Sequence, residues 1–155
     1  MTIHIRQATE ADLPAVLALY AQPGMDDGDV LAPQEAREVF AQFARYPDYR
    51  LFVACEGGPA GEVVATYALL VMHNLAHRGT PSAIAEDVIV AAGRQGQGIG
   101  RQLMAHAIEQ ARQAGCYKLA LSSNSKRAQA HAFYDSLGFK RHGLSFLIET
   151  ADAIR

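Results

Sequence analysis

The residues with the clearest capacity for chemistry form one segment, Val88-Ile-Val-Ala-Ala-Gly-Arg-Gln-Gly-Gln-Gly-Ile-Gly-Arg-Gln-Leu-Met104. A β-rich run enters a turn with glycines at 93, 96, 98 and 100, and a helical pattern leaves it. The first N–H groups of a helix lack internal partners, and the helix dipole makes that end partly positive. Glycines let a phosphate approach those groups with no Cβ in the way. The pattern implies a pyrophosphate-bearing cofactor. Spacing argues against two of them. A nucleotide P-loop, GxxxxGK[ST], would start at Gly93 and reach Gly98, but Ile99 stands where Lys is needed. A dinucleotide fingerprint, GxGxxG, would start at Gly96, but Arg101 takes the place of its third glycine.

Gln95-Gly-Gln-Gly98-Ile-Gly100 resembles the signature Q/R-x-x-G-x-G/A of the GNAT superfamily of N-acetyltransferases. Downstream, Ala130-His-Ala-Phe-Tyr134-Asp-Ser-Leu-Gly-Phe139 resembles the second signature of that family, a helix carrying a Tyr followed by Leu-Gly-Phe. The resemblance covers nearly the whole chain. It implies an α+β fold of GNAT type, a mixed, mostly antiparallel twisted sheet with flanking helices. It implies acetyl-CoA as acetyl donor, with backbone N–H groups of Gln95, Gly96, Gln97, Gly98, Ile99, Gly100 and Arg101 on the pyrophosphate. Val88, Ile89 and Val90 would offer main-chain groups to the pantetheine arm and the acetyl carbonyl, from a bulged strand that splays away from the next one. Asn124 is a further cofactor candidate, although the family's usual Asn falls where this chain has Arg127. A homodimer, using the closing strands, is also implied. The runs EDVIV, RQGQGIG and GCYKLALSS look like members that acetylate aminosugar phosphates or aminophosphonates.

The activity implied is transfer of an acetyl group to the primary amine of a small molecule. Such an amine is protonated at neutral pH, with a reference pKa of about 10, and must lose a proton before attacking the thioester. Glu86 and Asp87 stand just before Val88 and are candidates to accept that proton or hold the ammonium. Adjacent side chains on a strand face opposite ways, so only one of the pair is expected to reach the cleft, and Glu86 is favoured. The tetrahedral oxyanion would rest on strand N–H groups. Tyr134 is the candidate to protonate the departing thiolate, because a phenol keeps its proton at neutral pH. The same residue, set among Phe133, Leu137 and Phe139, also has the makings of a packed ring with a satisfied hydroxyl.

Secondary candidates surround these. His73 and His77 lie in the polar run HNLAHRG before the fourth strand, where they could line the acceptor pocket or assist the base. Tyr20, Met25 and the acidic loop Asp26, Asp27 and Asp29 are candidates for the acceptor side. His106, His131 and His142 read as surface residues. Two other readings stand beside the small-molecule enzyme: an acetyltransferase for protein N-termini or lysines, and a noncatalytic acyl-CoA-binding module.

The elements that must position these groups follow from periodicity. Ile3 and Ile5 mark a first strand. Thr9, with Asp12 three residues on, caps a helix through Tyr20 that tolerates Pro14 in its first turn. A second helix runs from about Pro33 to Arg45. LFVACE and GEVVATYALLVM are strands joined by GGPAG, and AIAEDVIVA is the fourth. A helix spans Gly98 to Ala114, KLALSS is the fifth strand, and a helix runs from Arg127 to Leu137. Phe139–Arg141 and Ser145–Glu149 read as short closing strands. The fourth strand, helix and fifth strand make one crossover unit, so those strands should be parallel.

Composition sets the outer bounds. One domain over residues 1–155 is expected, and half of the residues are hydrophobic, enough for a buried core. The net charge of −2 shows no basic patch for nucleic acid. Cys55 and Cys116 are isolated, without zinc-type spacing, and Cys55 sits in an apolar run. No metal is expected. The N-terminal residues carry no long apolar stretch, so neither a signal peptide nor a membrane anchor is expected, and a cytoplasmic location is.

Overall fold

The computed structural model describes residues 2–151 and divides after Leu121 into two compact units. The first holds a five-stranded sheet in the order β1-β2-β3-β4-β5, with strands Ile3–Gln7, Tyr49–Glu56, Glu62–Met72, Ser82–Val90 and Leu119–Ala120. The first three pairings are antiparallel. β4 and β5 are parallel, joined through α3 (Ile99–Gln113), as the crossover unit requires.

β2 and β3 read as unbroken apolar runs because both faces of the sheet are covered. Leu51, Val53 and Cys55 pack with Leu13 and Val16 of α1 (Leu13–Tyr20) and Ala36 of α2 (Pro33–Gln42). The intervening Phe52 and the buried Tyr67 face α3, where His106 meets both rings at 4.8 and 6.0 Å. Leu103, Met104, Ala107 and Ala111 form the buried stripe of α3, at the spacing of a helix with one apolar face. Leu103 has no exposed surface, so Leu103→Ala should cost about 2–5 kcal/mol.

The N-terminal cap forms in altered shape. Glu10–Asp12 is a 3-10 turn leading into α1, and the Thr9 N–H donates to Asp12 Oδ2 at 2.7 Å. Pro14 sits in the first turn of α1. Residues 43–45, expected to continue α2, tighten into a 3-10 turn.

In the second unit, α4 (Ala128–Ser136) ends as expected at Gly138, whose φ of +91° suits only a residue without Cβ. Three expectations fail at the C-terminal end of the chain. KLALSS yields only the two-residue β5. Neither Phe139–Arg141 nor Ser145–Glu149 forms a strand, because neither finds a partner strand for its main chain. Leu144, Phe146, Leu147 and Ile148 are instead exposed.

Candidate active site

The site is built around an irregularity in β4. Ala68 on β3 pairs with Glu86, and Thr66 pairs with Ile89. Tyr67 alone therefore stands opposite both Asp87 and Val88, which defines a bulge. Asp87 absorbs the extra residue with a left-handed φ of +51°. Aspartate tolerates that region better than most side chains.

The bulge breaks the alternation on which the sequence reading relied. The extra residue falls just after Glu86, so strict alternation no longer assigns Glu86 and Asp87 to opposite faces. Tyr49 feels both carboxylates: burial pushes its hydroxyl pKa up, and Asp87 and then Glu86 push it further. Tyr20 is likewise raised by burial, then by Asp87. Both residues are exposed, yet each carboxyl is raised, first by the partial desolvation of its charged form and then by a like charge, Asp87 acting on Glu86 and Asp26 on Asp87. Among the described residues, neither Glu86 nor Asp87 enters an ion pair within 4.0 Å. Two uncompensated carboxylates, with Asp26 close by, create a negative field suited to an ammonium group.

Beside this cluster β4 has an open edge. It pairs with β5 only through Ala83 and Ile84, so the segment from Ala85 to Val90 has no neighbour in β5. The Ala91 N–H donates to Val64 O at 2.8 Å, which turns residue 91 toward β3. Alternation then turns the main chain of Val90 toward the open edge and that of Ile89 toward β3.

Past Val90 the chain makes a 3-10 turn, Ala92–Arg94, and then the glycine loop. Gly96 and Gly98 have φ of +77° and +80°. The first helical bond of α3 runs from the Gln102 N–H to Gly98 O, so the N–H groups of Ile99, Gly100 and Arg101 have no helical partner. Gln95, Gly96, Gln97, Gly98 and Arg101 are exposed, and a Cβ built at Gly96 or Gly98 meets nothing within 4 Å. Ile99 is the exception. Its side chain is buried in the core, so only its main chain is available. Open space around unpaired N–H groups at a helix start fits a pyrophosphate.

In the second unit Tyr134 is half-buried, its ring 5.2 Å from Phe133 and 5.7 Å from Phe139. Burial raises its hydroxyl pKa, and the nearby Arg127 lowers it in part. Asn124 turns its carboxamide oxygen onto the Lys126 N–H at 2.9 Å, organising the turn before α4.

Other candidates are displaced from the bulge. His77 is exposed, its ring tilted against Tyr117 with centroids 4.6 Å apart, and His73 is exposed. Asp27 accepts from the Gly24 N–H at 2.8 Å, a turn-forming contact. His106 is not a surface residue: its Nδ1 lies 2.7 Å from the Tyr67 hydroxyl, and burial lowers its pKa. Sequence reasoning missed three participants. Tyr49 joins the carboxylates. Arg94 anchors the loop to Glu56 at 2.6 Å and Glu62 at 3.2 Å. Gln22, just past α1, bonds the main chain on either side of Ala91. All three depend on contacts between residues far apart in the chain, which no local spacing announces.

An open-edged strand running into a glycine loop and a helix start defines a site for a phosphate-bearing cofactor with an extended arm. The chain belongs to the GNAT family of acetyltransferases, whose family model, Acetyltransferase (GNAT) family, matches residues 13–139. It is 36% identical over 142 residues to the aminoalkylphosphonate N-acetyltransferase of Salmonella typhimurium, covering 92% of this chain and 88% of that one. It is 32% identical over 138 residues to the aminoglycoside N(6')-acetyltransferase type 1 of Stenotrophomonas maltophilia, covering 88% and 85%. A solved structure from Agrobacterium tumefaciens str. C58 superposes with a TM-score of 0.86 at 38% identity, covering 95% of this chain and 99% of that chain. The protein is an N-acetyltransferase, and its acetyl donor is acetyl-CoA, the donor of that family.

Proposed function

We propose that this enzyme acetylates the primary amine of a small molecule by direct attack on acetyl-CoA. The observation that carries the reading is the bulge at Asp87, which lies where β4 has no neighbour in β5 and whose two carboxylates both act on Tyr49. In this reading the loop from Gln95 to Arg101 holds the pyrophosphate and acetyl-CoA supplies the activated acetyl group. Val88 and Val90 meet the pantetheine arm, while Ile89 is committed to β3.

The ammonium of the acceptor settles against Glu86 and Asp87. One carboxylate, Glu86 by first choice, takes its proton directly or through water. The amine lone pair forms the new C–N bond at the thioester carbon, and the carbonyl electrons move onto oxygen, where a strand N–H stabilises them. Collapse restores the carbonyl and breaks the C–S bond. Tyr134 gives its proton to the departing thiolate, a role supported by its place in the Phe-Tyr-Asp-Ser-Leu-Gly-Phe run. The nitrogen's second proton leaves to solvent.

The named relatives act on an aminoalkylphosphonate and an aminoglycoside, both small amines, which supports the acceptor class. A panel of aminophosphonates, aminosugar phosphates, aminoglycosides, polyamines and N-terminal peptides, read by CoA release and product mass, tests it. Turnover confined to peptides would overturn the reading.

We also propose a homodimer held through residues 144–148, whose exposed Leu144, Phe146, Leu147 and Ile148 support an apolar contact. A monomer by light scattering at micromolar concentration would remove it. Two free cysteines support a reducing, cytoplasmic setting, and no helix among the described residues is long and apolar enough to cross a membrane.

A further inference from the structure

Gln22 lies two residues beyond the end of α1 and is half-buried. Its carboxamide is used at both ends. Nε2 donates to the Val90 carbonyl at 3.2 Å, and Oε1 accepts from the Ala92 N–H at 2.9 Å. Only one orientation of the amide satisfies both, because a carbonyl must meet the NH2 and an N–H must meet the oxygen.

The positions matter more than the count. In a parallel ladder, one residue of the neighbouring strand bonds the carbonyl of residue i−1 and the N–H of residue i+1. Gln22 bonds the carbonyl of 90 and the N–H of 92. Its side chain therefore occupies the place of one residue of a parallel neighbour, on the edge of β4 that β5 leaves open. It closes that edge at Ala91.

The main chain of Gln22 is fixed in turn. Its N–H donates to Leu19 O at 3.2 Å and its carbonyl accepts from the Met25 N–H at 3.2 Å, at the start of the loop that carries Asp26. Beyond Ala92, Arg94 holds the loop through Glu56 and Glu62. The stretch from Val90 to Arg94 is pinned at both ends.

We infer that Gln22 is a positioning residue that sets how far the donor arm can pair along β4, and so where the thioester carbon stands relative to Glu86 and Asp87. The inference rests on the proposed seating of the arm along β4. Gln22 also ties the Met25–Asp26 turn, on the acceptor side, to the strand that holds the donor. Donor register and acceptor loop are fixed by one residue, the first through its side chain and the second through its main chain.

The test uses the full-length enzyme with Gln22→Ala and Gln22→Glu. Gln22→Ala should lower kcat about tenfold or more, because small misplacements at the reacting centre are costly. The dissociation constant of CoA should stay within about threefold, since the loop N–H groups remain. Gln22→Glu is the discriminating variant. As a carboxylate it accepts from the Ala92 N–H but opposes the Val90 carbonyl. Once protonated, its hydroxyl can donate to that carbonyl, so its kcat relative to the parent should recover as pH falls. Full kcat in Gln22→Ala would overturn the inference. So would parallel loss of kcat, CoA affinity and Tm with no recovery of Gln22→Glu at low pH, which marks a purely structural role. If Gly98→Asp binds acetyl-CoA normally, it is the seating of the donor that fails. If Gly98→Asp loses binding while Gln22→Ala is indifferent, only the role of Gln22 fails.

Discussion

Arg6 grips both carboxylate oxygens of Asp12, Nη1 to Oδ2 at 2.7 Å and Nη2 to Oδ1 at 2.8 Å. The pair joins β1 to the turn that starts α1. Asp12 is almost buried, and the Arg6 hydrogen bonds lower its pKa from 3.8 to about 2, against an opposing effect of burial. A carboxyl lowered by folding stabilises the fold above its unfolded pKa, and the benefit is lost as pH falls through the folded value. The loss should therefore fall between about pH 4 and pH 2 and amount to about 2 kcal/mol. Asp12→Asn should remove this acid-dependent part, which urea unfolding at stepped pH would show. An unchanged pH slope in the variant would sink the assignment.

The carboxylates at the bulge predict the pH profile. A base works only when unprotonated, so kcat/KM should rise with pH through a carboxyl pKa raised from its ordinary value. Asp87 is one cause of the shift on Glu86. In Asp87→Asn the acid limb should therefore move to lower pH, whatever happens to the maximum rate. A limb that stays in place would mean that Glu86 is not the group observed.

At the glycine loop, Gly98→Asp brings a negative charge and a Cβ to a helix start where φ is +80°. Acetyl-CoA binding by calorimetry should fall below detection. Gly98→Ala adds only the Cβ and the backbone strain, about 1 kcal/mol, and should weaken binding far less. Equal affinities for the two variants would argue against a phosphate at this position.

Tyr134→Phe keeps the ring and its packing on Phe133 and Phe139. General acid catalysis contributes about 10²–10⁴-fold, so kcat should fall by that order while acetyl-CoA affinity is retained. Normal turnover would make Tyr134 a packing residue and leave water or the acceptor to protonate the thiolate.

What the sequence made legible was whatever is local. The glycine spacing located the start of α3 within a residue, and the paired apolar faces located β2, β3 and α3. The crossover rule gave the parallel pairing of β4 and β5. The bulge was anticipated in kind, through the resemblance to the family. Its effect on Glu86 and Asp87 was not, because the alternation rule holds only where no extra residue intervenes. His106 was misplaced for a related reason: its burial is set by Phe52 and Tyr67, on strands far away in sequence. The closing strands failed because β propensity without a partner makes no ladder.

The extra residue at Asp87 has a consequence for how this chain tolerates changes in length. Side-chain parity along β4 reverses at that point, so the segment before it and the segment after it are out of phase by one. Removing any single residue between Ala83 and Val90 would restore phase at one end only by spoiling it at the other. Residues 57–60, between β2 and β3, are mostly exposed and lie outside both strands, so a change of length there leaves the parity of β4 intact. A scan of single-residue deletions and insertions should therefore find the hairpin tip permissive and the eight residues of β4 from Ala83 to Val90 silent in activity. The length of that strand would be among the most rigidly held properties of the enzyme, held by arithmetic as well as by the identity of any one side chain.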